Sequence, residues 1–257
     1  MGGAPMQKEP YKNERYFLKD SVRLTIDFSE TDQSLGIPPP PLQKQPAEDA
    51  TLIDLIPHDK LTVPPTDLVR AIGQRRSHRA FTSDPLSIEE LSFLLWATQG
   101  VRKVVPPYTA YRTVPSAGCR HTFETYLCAF NVTGLDQAIY RYLPLDHQLV
   151  LEQIVDNLKD RVSYAALGQP FAGKAAVTFI WTTIPYRMEW RYGKAAHKVI
   201  AIDVGHVCQN LYLACEAIGA GTCAIGAYYQ EEMDRLIRVN GADEFTIYLA
   251  PVGKKSS

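Results

Sequence analysis

The sequence predicts an α+β fold, a mostly antiparallel central sheet flanked by helices, from three observations. Strand-like and helix-like stretches interleave without forming regular βα units. A hairpin is written into Tyr140–Leu143 and Gln148–Leu151, two apolar runs joined through Pro144-Leu145-Asp146. No G-x-G-x-x-G follows a strand, which disfavours a doubly wound, dinucleotide-binding sheet.

The elements follow in order. Residues 1–20 are polar, lack a period and read as an arm. Val22, Leu24, Ile26 and Phe28 alternate with Arg23, Thr25 and Asp27, a strand signal of period two. Ile37 to Pro46 holds four consecutive prolines and reads as an extended connector. Residues 1–60 are thus expected to form an arm and connector, and 61–257 the main domain.

Thr66-Asp67 caps a helix carrying Leu68, Val69, Ala71 and Ile72. Ser87-Ile88-Glu89-Glu90 is a capping box. It opens a helix with Leu91, Leu94, Leu95 and Thr98 on one face, ended by Gly100. Lys103–Thr113, rich in Pro and Tyr, is expected to be a loop. Strands are expected over Phe123–Val132, Ala175–Ile184 and Glu244–Val252, and helices over Glu152–Ala166, Tyr186–Tyr192 and Gln230–Ile237.

The longest signal runs from Ala195 to Tyr229. Ile200, Val204, Val207, Cys208, Leu211, Ala214, Cys215 and Ile218 recur at helical spacing, and Val199, Ile202, Tyr212, Leu213 and Ala217 fill the remaining circumference. A helix apolar nearly all round is buried on more than one side. It is read as a domain's central helix or as half of a dimer seam. Gly219 and Gly221 stop it, and Thr222–Tyr228 reads as a buried strand with a small-residue bend.

Composition narrows the function. The net charge of −1 and the absence of a basic tract argue against a nucleic-acid partner. No apolar run approaches the roughly 20 residues of a membrane span. Without a secretory signal, a cytoplasmic protein is expected. Five cysteines with no C-x-x-C pair read as reduced structural thiols, and six histidines without ligand spacing give no metal site.

Three segments could carry chemistry. Arg75, Arg76, Ser77 and Arg79 gather charge-assisted donors within five residues, a set suited to a phosphate monoester; alternatively they form a solvated basic face. Pro115-Ser116-Ala117-Gly118 is a small turn that lets backbone approach a flat ligand, or else an ordinary turn. Ala224, Ile225, Gly226 and Ala227 leave main-chain N–H groups accessible. Asp203, His206 and Asn210 form a polar stripe on the long helix, read as satisfied interface hydrogen bonds.

Taken in order, R-R-S-x-R-x-F, L-S-x-E-E-L-x-x-L-L-W-A, P-S-A-G, E-W-R-Y-G, D-x-G-H-x-x-Q-N-L-Y-L-A, G-x-G-T-C-A-I-G-A and A-P-V-G resemble the nitroreductase superfamily. More narrowly they resemble its SagB-type dehydrogenase branch, which includes azoline oxidases. The resemblance covers about Pro64 to Lys255. It implies a nitroreductase-like fold, dimerising through its long helix with FMN at the subunit interface. Arg75, Arg76 and Ser77 would hold the FMN phosphate, and Arg79 would approach the flavin pyrimidine edge. Pro115, Ser116, Ala117 and Gly118 would reach the flavin from the partner subunit. Ala224, Ile225, Gly226 and Ala227 would line the ring, and Lys254 or Lys255 would complete the phosphate site.

The implied activity is hydride transfer through flavin N5, from NAD(P)H to a small organic acceptor, nitroaromatic or quinone-like. The rivals are an azoline dehydrogenase acting on a peptide and a flavin-binding subunit without turnover. Arg191 and Tyr192 are the catalytic candidates. Azoline oxidases have a lysine before the tyrosine, and arginine at 191 is a poor proton acceptor because its pKa lies above about 12.

Overall fold

The computed structural model describes residues 11–106 and 109–255. The first ten residues of the expected arm, and Pro107-Tyr108 of the expected loop, lie outside them. The arm begins with helix α1 (Lys12–Leu18), which buries no residue. Two short 3-10 turns follow, Asp20–Thr25 and Phe28–Glu30. The strand expected over Val22–Phe28 is therefore not formed. Alternation suffices for a strand only when a neighbour takes up its ladder groups. Here Thr25 Oγ1 donates to the Val22 carbonyl at 2.7 Å, Asp27 accepts from the Ser29 amide at 2.9 Å, and Leu24 points into solvent.

The proline-rich connector crosses the domain and is pinned by side chains from beneath. Arg112 donates to the Leu42 carbonyl at 2.8 Å, and Arg141 to the Lys44 carbonyl at 2.7 Å. Buried Gln43 donates to Asp146 at 2.7 Å and accepts from the Leu145 amide at 2.9 Å. Strand β1 (Leu52–Asp54) then joins the edge of the main sheet.

Helix α2 (Leu68–Gln74) is capped by Asp67, and α3 (Ile88–Gln99) by the complete Ser87–Glu90 box. The segment expected as a loop is mostly a hairpin, β2 (Val101–Val105) against β3 (Thr109–Arg112). The central strands are β4 (Phe123–Ala129), β5 (Ala138–Leu143) and β6 (Gln148–Gln153). Because β6 continues pairing to Gln153, α4 spans only Leu158–Ala165 and not the expected 152–166; its entry is Asn157 in the left-handed region, φ 53°. After α5 (Phe171–Lys174) come β7 (Val177–Thr183), α6 (Tyr186–Tyr192) and α7 (Ala196–Ala217). The chain closes with β8 (Ala220–Thr222), α8 (Gln230–Leu236) and β9 (Phe245–Lys254). Thr222–Tyr228 is a strand only at its first residue. Beyond it, one bridge from Ile225 to Leu249 is all that remains of the ladder.

The seven-stranded sheet has the order β1-β6-β5-β4-β7-β9-β8, and every pairing is antiparallel. Helices cover both faces, so β4 and β7 are buried along their whole length, their polar side chains Glu124, Thr125, Thr178, Thr182 and Thr183 included. Leu127, Ala129, Phe179 and Trp181 face α3 and α7; Tyr126, Cys128 and Ile180 face α4 and α8. Burial pushes the Cys208 thiol up to about 12, consistent with its packing as an apolar group.

One face of α7 packs inward through Ile200, Val204, Val207, Cys208, Leu211, Ala214 and Cys215. The other, with Ala201, Ile202, Gly205, His206 and Gln209, is exposed in the single chain. Ile202 is 48% exposed, and on the adjacent α2 Leu68, Val69 and Ile72 are also open. The expectation that α7 is buried on more than one side is thus not met in the single chain.

Candidate active site

Two groups of residues lie along α7, around Asp203 and around Tyr212. Nine residues of helix separate these anchors by about 14 Å.

The first group is the Pro115–Gly118 turn. The buried Asp203 carboxylate accepts from the Ala117 amide at 3.1 Å and is hydrogen-bonded by the Ser116 hydroxyl. Ser116 Oγ also accepts from the His121 amide at 3.0 Å. Burial pushes the Asp203 carboxyl up, opposed by these two hydrogen bonds and by His206. The polar stripe therefore divides: Asp203 orders the turn, Asn210 donates to the Ala97 carbonyl at 2.9 Å, and His206 faces outward.

Gly118 has φ +57°, and a Cβ there would lie 2.7 Å from the Tyr192 hydroxyl and 2.9 Å from Arg191 Cδ and Nε. Only glycine lets the two catalytic candidates close on the turn. Cys119 and His121 are also left-handed, at φ 55° and 45°. Arg120 stacks over Trp190 at 5.1 Å, its pKa lowered by burial and by the charge of Arg191. The His121 ring is buried, bonded to the backbone of Ala110, and its pKa falls to about 2 through desolvation and the positive charges of Arg112, Arg120 and Arg187.

Helix α6, which carries Arg191 and Tyr192, is held by the arm and by buried charge. Trp190 donates to the Ile37 carbonyl at 2.8 Å, and its own carbonyl accepts from the Gln33 amide at 2.9 Å. Arg187 meets the buried Glu124 carboxylate at 2.5 Å, and that carboxylate also accepts from the Lys44 amide at 2.9 Å.

The second group joins the arginine segment to the bend after β8. Ser77 bridges Thr222 in parallel, with the His78 amide donating to the Thr222 carbonyl at 2.9 Å. Ser77 Oγ lies 3.1 Å from the Tyr212 hydroxyl, which accepts from the Ala224 amide at 2.8 Å. The Arg75 guanidinium stacks over the Tyr212 ring at 5.3 Å. Arg76 folds back onto the carbonyls of Gly73 and Arg75, and Arg79 lies over Phe171 at 5.9 Å. Among the described residues none of the three arginines is paired with a carboxylate.

Ile225 is buried, whereas Gly226 and Ala227 are exposed. A Cβ at Gly226 would meet only Tyr248, at 3.8 Å, so one side of the bend stays open. Gln169 donates to the Ala227 carbonyl at 3.1 Å.

Both lysines expected at the phosphate site have carboxylate partners. Lys254 pairs with the capping-box Glu90 and donates to the Ile218 carbonyl at 2.9 Å; Lys255 pairs with Glu216 at 2.7 Å. Both ammonium groups serve the C-terminal end of α7 and its surroundings.

Sequence reasoning missed Tyr212 as a site residue, along with Gln169 and Phe171. Tyr212 had a signal, since it is the only Tyr, Phe or Trp in α7. Gln169, which reaches the bend, and Phe171, which lies under Arg79, come from a distant segment and had none.

The donor set fits a phosphate monoester bearing a flat ring. Three guanidinium groups without carboxylates and a serine lie beside an open small-residue bend. Among the described residues no group of three or more His, Cys, Asp or Glu side chains is placed to hold a metal. No described helix is long and apolar enough to cross a membrane.

Comparison with known proteins places the chain. The model of the Nitroreductase family matches residues 72–254. A protein of Methanocaldococcus jannaschii named as a nitroreductase is 34% identical over 183 residues, 71% of this chain and 88% of its own. A crystal structure of a protein described as a nitroreductase from Ralstonia eutropha superposes with TM-score 0.66 and 26% identity, covering 86% of this chain and 99% of that one. Another, from Anabaena variabilis, gives TM-score 0.68 at 22% identity over 81% of this chain, which spans only 42% of that protein. The site described above falls within the matched segment, and the chain belongs to the nitroreductase family.

Proposed function

We propose that the protein is a homodimeric, FMN-dependent oxidoreductase taking electrons from NAD(P)H and passing them to a small organic acceptor, nitroaromatic or quinone-like. One observation carries the reading: the carboxylate-free Arg75–Arg79 segment is bonded through Ser77 and Tyr212 to the open Ala224–Ala227 bend. Arg75, Arg76 and Ser77 would hold the FMN phosphate, Arg79 would sit toward the ring, and Ala224 to Ala227 would form its wall. FMN, when bound, supplies hydride transfer through its N5.

The Pro115–Gly118 turn belongs to the other end of α7 and is assigned to a flavin shared with the partner subunit. The open face of α7, continuous with the exposed apolar residues of α2, supports that pairing. Lys254 and Lys255 are left out of the phosphate site because both have carboxylate partners. Arg191, a guanidinium with donors only, would orient or stabilise an anion. Tyr192, whose hydroxyl adjoins Gly118, is the candidate proton donor. The azoline-type reading, which needs a base before the tyrosine, is disfavoured by Arg191.

Purified protein is expected to take up FMN, to lose the visible flavin band on adding NAD(P)H, and to recover it with a nitroaromatic or a quinone. Arg75→Ala should bind FMN at least about tenfold more weakly, the loss of one hydrogen bond to a charged group. A protein that takes up no FMN refutes the proposal. Uptake without bleaching refutes turnover and leaves a flavin-binding subunit.

A further inference from the structure

We infer that Tyr212 is a positioning residue that sets the polarity of the Ser77 hydroxyl and thereby makes the site selective for a phosphorylated flavin. The inference rests on the FMN reading above.

The Tyr212 oxygen accepts the Ala224 amide proton at 2.8 Å. That bond engages the phenol's acceptor side, leaving its single proton to point at Ser77 Oγ, 3.1 Å away. Ser77 then accepts from Tyr212 and keeps its own proton for a partner on the exposed side. Reversing the bond would leave the phenol proton without an acceptor and turn serine lone pairs toward the anion. The relay from Ala224 N–H through Tyr212 O–H to Ser77 O–H is thus favoured by an anion beyond Ser77.

Backbone geometry fixes the serine at the end of this relay. The parallel bridge to Thr222 and the His78 amide bond at 2.9 Å hold Ser77 against β8. The Arg75 guanidinium over the same phenol ring adds positive charge beside the hydroxyl pair. One tyrosine therefore links the proposed phosphate end of the site to the flavin wall. Its hydroxyl contributes to the phosphate end through Ser77, while its ring supports Arg75. Tyr212→Phe separates these roles, keeping the ring and deleting the relay.

The test measures dissociation constants of FMN and riboflavin by quenching of flavin fluorescence. The proteins are wild type, Tyr212→Phe, Ser77→Ala, the double variant and Ser77→Thr, each checked for folding by its thermal midpoint. The relay predicts that Tyr212→Phe lowers the preference for FMN over riboflavin about tenfold. In the Ser77→Ala background the same change should move that preference less than about twofold, because the relay ends at Ser77. Ser77→Thr, which keeps the hydroxyl, should retain the preference.

An unchanged preference in Tyr212→Phe, even with both flavins weakened, overturns the relay and leaves the FMN reading intact. So does an equal loss with and without Ser77. A wild-type protein that binds neither flavin sinks both. If Tyr212→Phe does not fold, the comparison of Ser77→Thr with Ser77→Ala decides: equal loss in both refutes a role for the serine hydroxyl.

Discussion

His121 couples stability to pH in a direction the buried site makes explicit. The residue is 4% exposed, its ring bonded to the backbone of Ala110 and faced by the cationic side chains of Arg112, Arg120 and Arg187. Desolvation and these charges hold its folded pKa at about 2, against 6.5 for a free histidine. Folding with a depressed pKa means that the unfolded chain binds the extra proton first. The contribution is therefore complete above pH 6.5 and is lost progressively as pH falls toward 2. Between pH 7.5 and 5.0 the loss is about 2 kcal/mol, taking about 1.36 kcal/mol per unit below 6.5. Asparagine tolerates the left-handed backbone at this position and cannot titrate. Urea unfolding of wild type and His121→Asn at both pH values isolates the effect, since all other groups titrate in both proteins. The variant's stability should fall by about 2 kcal/mol less than the wild type's over this interval. Parallel losses, within about 0.5 kcal/mol, would refute the reasoning.

Two further substitutions test the partition of the site along α7. Ile202→Glu alters an exposed position, so the subunit should keep its stability within about 0.5 kcal/mol while losing both dimer and FMN in size-exclusion and absorbance measurements; a monomer with stoichiometric FMN contradicts the shared site. Gly118→Ala imposes a side chain at φ +57° against Tyr192 and Arg191, and should cost about 1–2 kcal/mol in urea unfolding and weaken FMN binding; wild-type behaviour in both would show that the turn relaxes freely.

The parts of the fold legible in the sequence are those whose signals are local. The Ser87–Glu90 capping box, the α7 periodicity and the 140–151 hairpin each hold within a few residues and reappear in the structure. Val22–Phe28 has a strand's alternation but no neighbouring strand, and its backbone turns on itself instead. Val101–Arg112 carries prolines and tyrosines that suggest a loop, yet its flanks pair with each other. Residues 152–153 extend β6 because β5 is there to receive them.

The site shows the same division. The arginine segment and the two small-residue stretches stand out by composition. Their distribution over two ends of α7 does not, because it depends on tertiary contacts such as Asp203 with Ala117 and Tyr212 with Ala224. Nothing in the sequence distinguishes Lys254 and Lys255 from phosphate ligands. Their pairing with Glu90 and Glu216 depends on tertiary placement.

The pinned connector bears on how this protein can be cut. Residues 72–254 are what it shares with its family, but here residues 42–54 also bond to that segment. Excising it would strip the carbonyls of Leu42 and Lys44 from Arg112 and Arg141, and the Lys44 amide from Glu124. Each loss leaves a buried charge short of a partner, at about 1–3 kcal/mol apiece. The outer edge of β6 would also be bared to other chains. The proline strap is a clasp closed over ionised groups, and a piece cut to begin at residue 72 is expected to unfold at lower urea than one that keeps it.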